Sequence, residues 1–534
     1  MPALPSQLDT RSEAYERSRR AMLDLVGEVE QLQRKAREGG SPASVARHRE
    51  RGKLPVRERI ALLRDRHGSF FELSALAGWG AGDPLGGGVV TGIAQVEGRQ
   101  VMVIANDPTV RGGSLSPTSI TKTVRALDIA ETNRLPLITL VESGGAELDK
   151  QSDIFVPGGE QFRRLTELSA AGIPTVSVVL GSSTAGGAYL PGMSDYTIFV
   201  KDRGYAFLGG PPLVKMAIDE DVTEQELGGA DMHARVSGLA DFLAADEPDA
   251  MRLARAAVRQ FPAQRRPAGG AVPLHDPDEL LGIVPDDPRR PFDIREVLAR
   301  VLDASEFDEF KPLYGHNLVT GWGTLHGMPI GVLANNGILF SAESQKGAQF
   351  IQLANQLGIP LVFLQNITGF MVGTAAEHGG IIKDGAKLIN AVSNSRVPHV
   401  TLMVGVSYGA GNYAMAGRAY RPRLVLTWPT HRIAVMGGRQ LAGVMSIVQR
   451  RSAEAKGVPF DEDADAKRRA ALEERIDHES TALFSTGRCW DDGIIDPRHT
   501  RSALAVSFAM ATGADCGRGG GALTPSSIFG VFRF

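Results

Sequence analysis

The sequence predicts an α/β fold built twice, and three observations predict it. Residues 129–145, IAETNRLPLITLVESGG, align without a gap with residues 353–369, LANQLGIPLVFLQNITG, and at the same offset of 224 Pro136 meets Pro360, Pro174 meets Pro398 and Tyr189 meets Tyr413. Runs such as PLITLVESGG and IPTVSVVLGSSTAGG are apolar and β-branched throughout, the pattern of strands covered on both faces, whereas TKTVRALDIAETN has helical periodicity. Each copy therefore reads as strand and helix in alternation, with strands that end in glycine turns, and that order implies helices packed over a sheet.

The elements follow in chain order. Residues 1–66 form a helical arm: an amphipathic helix carries Met22, Leu23, Leu25, Val26, Val29 and Leu32, and the stretch RHRERGKLPVRERIALLRD follows it. Residues 11–66 hold fifteen Lys and Arg against nine Asp and Glu; the interleaved acids and the absence of an aromatic series indicate a solvated arm or a partner-docking surface, not a nucleic-acid patch. The first copy occupies residues 67–262. Seven prolines in residues 262–291 mark a linker over 263–291. The second copy occupies residues 292–534. Upstream, VVTGIAQVEG (residues 89–98) matches LVTGWGTLHG (residues 318–327) at an offset of 229, so the second copy has lost five residues before the offset settles at 224. Residues 448–478 read as a pair of charged surface helices.

Composition narrows the function. An apolar share of 43% with 22% charge is that of a globular protein, and 534 residues suffice for two large cores. A net charge of −3 supplies no global attraction to nucleic acid. No apolar run reaches the roughly 18 residues of a membrane helix, and MPALPSQLDT lacks a basic-then-apolar signal, so a cytoplasmic location without membrane contact is expected. Cys489 and Cys516 cannot build a disulfide framework or a four-thiolate zinc site, and no metal is expected. A Walker A signature, a GxSxG elbow, HExxH and a Ser-His-Asp constellation are all missing. His233, His378 and His431 stand singly and are read as structural or surface histidines.

What remains is the set of glycine turns, ESGGAEL and TAGGAYL in the first copy, NITGFMV and YGAGNYAM in the second. A strand that passes through small residues into a helix leaves backbone N–H groups without acceptors, and these favour a negative oxygen. Two such turns from neighbouring strands can aim one N–H each at the same atom, which makes an oxyanion hole without side chains. Two holes and no side-chain base suggest that the proton acceptor arrives with substrate or cofactor.

On these residues the chain resembles the carboxyltransferase (β) subunits of biotin-dependent acyl-CoA carboxylases, which have a duplicated crotonase-like fold. The resemblance runs from RGKLPVRERIALL through NDPTVRGGSLSP, SSTAGGAYLPGMSD, LGGPPLVK and VTEQELGGADMHARVSG to GILFSAESQKGAQFI, HGGIIKDGAKLI and WPTHRIAVMGG; GPPLVK, LGGAD and GAGNY are most similar to the methylcrotonyl-CoA and geranyl-CoA carboxylase branch. It implies carboxyl transfer from carboxybiotin to an acyl-CoA through a biotin enolate and a thioester enolate. By motif position Gly144, Gly145, Gly186 and Gly187 would serve the acyl-CoA, and Thr368, Gly369, Ala410 and Gly411 the biotin. Arg111 and Lys122 are candidates for the coenzyme A phosphates, and Ala185, Tyr189, Phe370, Tyr408 and Tyr413 for lining the two binding sites.

The resemblance further implies a homo-oligomer, commonly of six β chains, acting with an α subunit that carries biotin carboxylase and biotin carboxyl carrier functions. A biotinyl lysine usually sits in a Met-Lys-Met hairpin; the nearest match here, Lys215-Met216, lies inside GPPLVK, so biotin is expected on the partner. The segment VPGGEQFRRLTELSAA, expected to line the acyl pocket, is shorter than in methylcrotonyl-CoA relatives and lacks their paired aromatics, so the acyl chain stays open; Arg439 stands where an acid or small residue is usual, a change that either alters partner contacts or does nothing. A carboxyltransferase subunit of a biotin-dependent acyl-CoA decarboxylase is the alternative.

Overall fold

A computed structural model describes residues 1–261, 269–287, 290–513 and 531 of the chain; Cys516 and part of the expected linker lie outside them. Two compact units emerge, one of Gln31–Arg266 with Gly487–Cys489 and Ala509–Phe534, the other of Met1–Glu30, Pro267–Thr486 and Trp490–Phe508. They are called the first and second units below.

The first unit holds an eight-stranded sheet of β1 (Phe70–Leu73), β2 (Val89–Val96), β3 (Arg99–Asn106), β4 (Leu137–Ser143), β5 (Thr175–Thr184), β6 (Tyr196–Val200), β7 (Tyr205–Phe207) and β8 (Phe242–Ala244). Its order is β1-β2-β3-β4-β5-β6-β8, with β7 pairing separately with the far end of β5. The first three strands are antiparallel, and from β3 onward the pairings are parallel. Every residue of β4 is buried, its mostly apolar start Leu137–Val141 and its polar end Glu142-Ser143 alike.

The second unit repeats this plan with β9 (Asp308–Glu309), β10 (Leu318–Leu325), β11 (Met328–Asn335), β12 (Leu361–Ile367), β13 (His399–Tyr408), β14 (Leu424–Thr427) and β15 (Arg432–Ala434). The order is β9-β10-β11-β12-β13-β14, and β15 pairs with β13 as β7 does with β5. Even the register irregularity recurs, between Val141 and Ser143 in one unit and between Gln365 and Ile367 in the other. The deletion is also located. Residues 107–116 separate β3 from the helix that follows it, whereas residues 336–340 do so in the second unit, five fewer.

The arm departs from the expectation of a solvated appendage. It comprises α1 (Glu13–Glu38), α2 (Pro42–Glu50) and α3 (Val56–Leu63), and the division between the units falls within α1. Upstream residues join the second unit: Leu4 N donates to Ser305 O at 2.9 Å, and Tyr15 packs against Gly282, where a Cβ would come within 2.2 Å of its ring. Downstream, Val56, Ile60 and Leu63 enter the core of the first unit beside β-strand residues and the helix Glu247–Val258. Spaced four and three apart, they form one apolar stripe that the interleaved charges disguise. No helix among the described residues is long and apolar enough to cross a membrane.

Candidate active site

In each unit two turns leave the C-terminal ends of adjacent parallel strands. In the first unit β4 ends at Ser143 and runs into Gly144-Gly145, while β5 ends at Thr184 and runs through a short helical turn, Ala185–Ala188, into the helix Tyr189–Gly192. The turns are neighbours, because a Cβ on Gly145 would lie 3.8 Å from Thr184 O. The second unit gives the same arrangement with Thr368-Gly369 after β12 and a helix Ala410–Ala414 after β13, and there a Cβ on Gly369 would lie 3.9 Å from Tyr408 O.

Backbone conformation explains the small residues. Gly145 and Gly369 have φ of 96° and 127°, a region closed to side-chain-bearing residues without strain. Ala185 and Gly409 occupy equivalent places with φ of 54° and 57°, so the first unit carries a left-handed alanine where the second uses glycine. The leading N–H groups of each helical turn have no acceptor within it. Gly186 and Ala410, at matching positions, are exposed, while Gly187 and Gly411 are buried beneath them.

Both strand-end turns are fixed by the same clamp. Leu115 N donates to Gly145 O at 2.8 Å and Glu147 N to Leu115 O at 3.0 Å; Leu339 N donates to Gly369 O at 3.2 Å and Met371 N to Leu339 O at 2.9 Å. In the first unit Ser143 Oγ also donates to Gly113 O at 2.7 Å and accepts from Gly145 N at 3.2 Å, so that N–H is already engaged; Ile367 occupies the serine's place in the second unit and makes no such bond. The helical turns are braced differently. Ser183 Oγ donates to Gly187 O at 2.8 Å, whereas Asn412 Nδ2 donates to Ser407 Oγ at 2.8 Å and Gln365 Nε2 to Met415 O at 2.7 Å. None of these bracing groups was singled out by sequence, because a buried Gln or Asn announces nothing until its partners are known.

The aromatic candidates also fall in pairs. Tyr189 and Tyr413 are each 46% exposed at equivalent positions; Tyr189 stands edge-on to Phe162 and Tyr413 against Tyr420. Phe370 follows the Gly369 turn and packs over Gly385, and Tyr408 closes β13, its phenol pKa raised by burial.

The two cations part company. Arg111 is exposed in the connection 107–116 and pairs with Glu147 at 2.8 Å, whose hydrogen bond and charge raise its pKa further. Lys122 corrects the expectation of a phosphate ligand: it is 2% exposed, and its Nζ donates to Val89 O at 2.7 Å and Gly86 O at 3.2 Å. Burial lowers its pKa to about 8. Lys122→Met is therefore expected to cost about 1–3 kcal/mol of stability by stranding two buried carbonyls. The acyl-CoA KM should stay unchanged; a urea titration beside substrate saturation curves checks both.

His233 and His431 are occupied structurally. Burial lowers the pKa of each, that of His431 to about 4, and each ring meets a backbone carbonyl, Ala206 O at 2.7 Å and Gly405 O at 2.8 Å. Lys215 lies on the helix Pro211–Ile218, paired with Asp219 and Asp221, and not at a hairpin tip. The segment expected to line the acyl pocket forms much of the helix Gln151–Ala170, whose Phe162 ring approaches to 3.1 Å from where a Gly186 Cβ would stand. Arg439 is the second residue of the helix Gly438–Lys456.

Such an arrangement can bind two negative oxygens, one per unit, without charging any side chain. Comparison with known proteins agrees. The family model described as the carboxyl transferase domain matches residues 47–516. A probable biotin-dependent acyl-coenzyme A carboxylase beta2 subunit of Mycobacterium tuberculosis is 54% identical over 99% of this chain and 100% of its own. A probable mitochondrial methylcrotonoyl-CoA carboxylase beta chain of Drosophila melanogaster is 45% identical over 99% of this chain and 95% of its own. The crystal structure of the beta subunit of Pseudomonas aeruginosa geranyl-CoA carboxylase superposes with a TM-score of 0.92 at 43% identity, covering 100% of both chains. The chain thus belongs to the carboxyl transferase domain family, with a duplicated crotonase-like fold, and is an acyl-CoA carboxyltransferase of the β-subunit kind.

Proposed function

We propose that the first unit holds the thioester oxygen of an acyl-CoA between its Gly144-Gly145 and Gly186-Gly187 turns, and that the second holds the ureido oxygen of biotin between Thr368-Gly369 and Ala410-Gly411. The observation that carries this reading is the recurrence of both turns, their clamp and their left-handed residue in two units of one chain. The second cradle fits such a group: a Cβ on Gly369 or Gly411 would project into or displace the turn, and Phe370, Tyr408 and Tyr413 supply apolar surface beside it. Carboxybiotin, brought by a partner subunit, supplies the CO2 and the proton acceptor. The chain's own part is to bind and orient the thioester and to stabilise negative charge on its oxygen while the enolate attacks CO2. Backbone N–H groups already in place do this without reorganising. Arg111 remains a candidate for a coenzyme A phosphate, since an exposed guanidinium can exchange Glu147 for a stronger anion.

A biotin-carrying α partner and a homo-oligomeric β core, of six chains by resemblance, complete the proposal. Two apolar surfaces support self-association: Leu213, Met216 and Ile218 on the helix Pro211–Ile218, which buries none of its residues, and Val444, Met445, Ile447 and Val448 on the helix Gly438–Lys456. The test is purification with the biotinylated protein that accompanies the chain in its host, followed by ATP-dependent fixation of labelled bicarbonate onto acetyl-, propionyl-, methylcrotonyl-, geranyl- and long-chain acyl-CoA. Fixation onto one class is expected and names the substrate. A bound biotinylated partner without fixation would favour the decarboxylase, and no biotinylated partner at all would overturn the reading.

A further inference from the structure

We propose that Lys53 and Arg59, acting through Glu142, set the position of the Ser143–Gly145 turn, which makes all three positioning residues for the acyl-CoA half of the reaction. This rests on assigning that turn to the acyl-CoA. Glu142 is the residue at which the β4–β5 register breaks. Its side chain lies across Gly181, where a Cβ would come within 2.5 Å of the carboxyl carbon, and its carbonyl presses on Gly113, where a Cβ would lie 2.3 Å away. The side chain is thus wedged against β5 while the main chain abuts the loop at Gly113, and together these contacts fix where the next two residues can go.

Two cations hold the carboxylate from the arm. Lys53 Nζ donates to Oε1 at 2.5 Å. Arg59 Nη2 stands 2.8 Å from Oε2, in a direction that gives an ion pair but no hydrogen bond. Arg59 is in turn locked: Glu247 accepts from its Nε at 2.9 Å and Nη2 at 2.7 Å, and the same Glu247 accepts from Leu54 N at 3.1 Å. His48 Nε2 touches Leu54 O at 3.1 Å and Arg59 Nη2 at 3.4 Å. Burial alone would raise the Glu142 pKa, but Arg59 and Lys53 outweigh it and hold the group ionised.

The second unit supplies the comparison. Asn366 takes the place of Glu142 and lies across Gly405, where a Cβ would come within 2.3 Å of Oδ1; Val406 N donates to that oxygen at 3.3 Å. The same wedge is therefore built from a neutral amide at one turn and from a carboxylate at the other. A carboxylate next to a turn meant to receive a negative oxygen repels it unless cations balance the charge. Lys53 and Arg59 supply both the balance and the anchor.

The experiment compares Lys53→Met, Glu142→Gln and the double variant in the complete complex with the biotinylated partner. Each single variant is expected to lose about tenfold to a hundredfold in kcat, the scale of a small misplacement of reacting groups. The acyl-CoA KM and the partner's ATP-dependent biotin carboxylation should hold. The double variant, with an amide wedge and no buried charge left over from this pair, should recover most of the loss. Wild-type kcat in both single variants would overturn the proposal, as would a loss that tracks folded fraction and is not rescued in the double variant. Gly145→Val separates the two readings: if it carboxylates acyl-CoA normally, the assignment of the turn fails; if it is inactive while Lys53→Met is normal, only the positioning role fails.

Discussion

Gly411→Ala is expected to lower acyl-CoA carboxylation by about a hundredfold or more, while Gly187→Ala, the same change at the matching position of the first unit, costs a few-fold at most. The difference is one of space. A Cβ on Gly411 would stand 2.5 Å from Ile367 Cγ1 and 3.3 Å from Gly369 Cα. Ile367 is fully buried, and Gly369 is the backbone of the opposing turn, so neither can yield as the tip of a flexible side chain would. The two turns must separate, and N–H groups that converge on one oxygen lose their common aim. A Cβ on Gly187 meets Ser183 Oγ at 3.6 Å, an ordinary contact. Steady-state carboxylation with the native partner measures both variants, with the partner's own biotin carboxylation as the control. Equal losses would show that the glycines are needed for something other than room.

The turns were legible in the sequence because their constraint is local. A positive φ at Gly145 and Gly369 and a close approach at Gly411 restrict residue type at the position itself, and duplication writes each restriction twice at a fixed offset. The strands were legible for the same reason, since burial on both faces leaves a largely apolar stretch at the start of each, Leu137–Val141 in β4 and Leu361–Leu364 in β12. Lys122 was misread because its position beside a glycine turn says nothing about direction; its amine turns inward to Gly86 O and Val89 O. The arm was misread for a related reason. In RGKLPVRERIALL five charged residues look alike, yet Arg59 is 1% exposed while Glu58 pairs with Arg49 at the surface. What separates them is Glu247, 188 residues away, and no local pattern carries a contact at that distance.

Arg59→Leu is accordingly expected to destabilise the first unit by about 3–5 kcal/mol, far more than any surface ion pair of the arm would. The leucine fills much of the space but leaves Glu247, 2% exposed, and Glu142 without their shared cation. The pH dependence follows from Glu142. In the native protein its pKa is lowered, so its contribution is present above the unfolded carboxyl range and is lost as pH falls through the lower folded value. Without Arg59 burial acts less opposed and the shift moves upward. The deficit should then be largest at neutral and alkaline pH and should shrink as pH falls and the buried carboxyl takes up a proton. Urea unfolding of the variant and the parent at pH 5.5 and pH 8 measures this, and adding Glu247→Gln should recover part of the loss by removing one of the stranded charges. A deficit that is small, or that grows toward acid, would show that Arg59 stabilises the arm by packing alone and that the carboxylates find other partners.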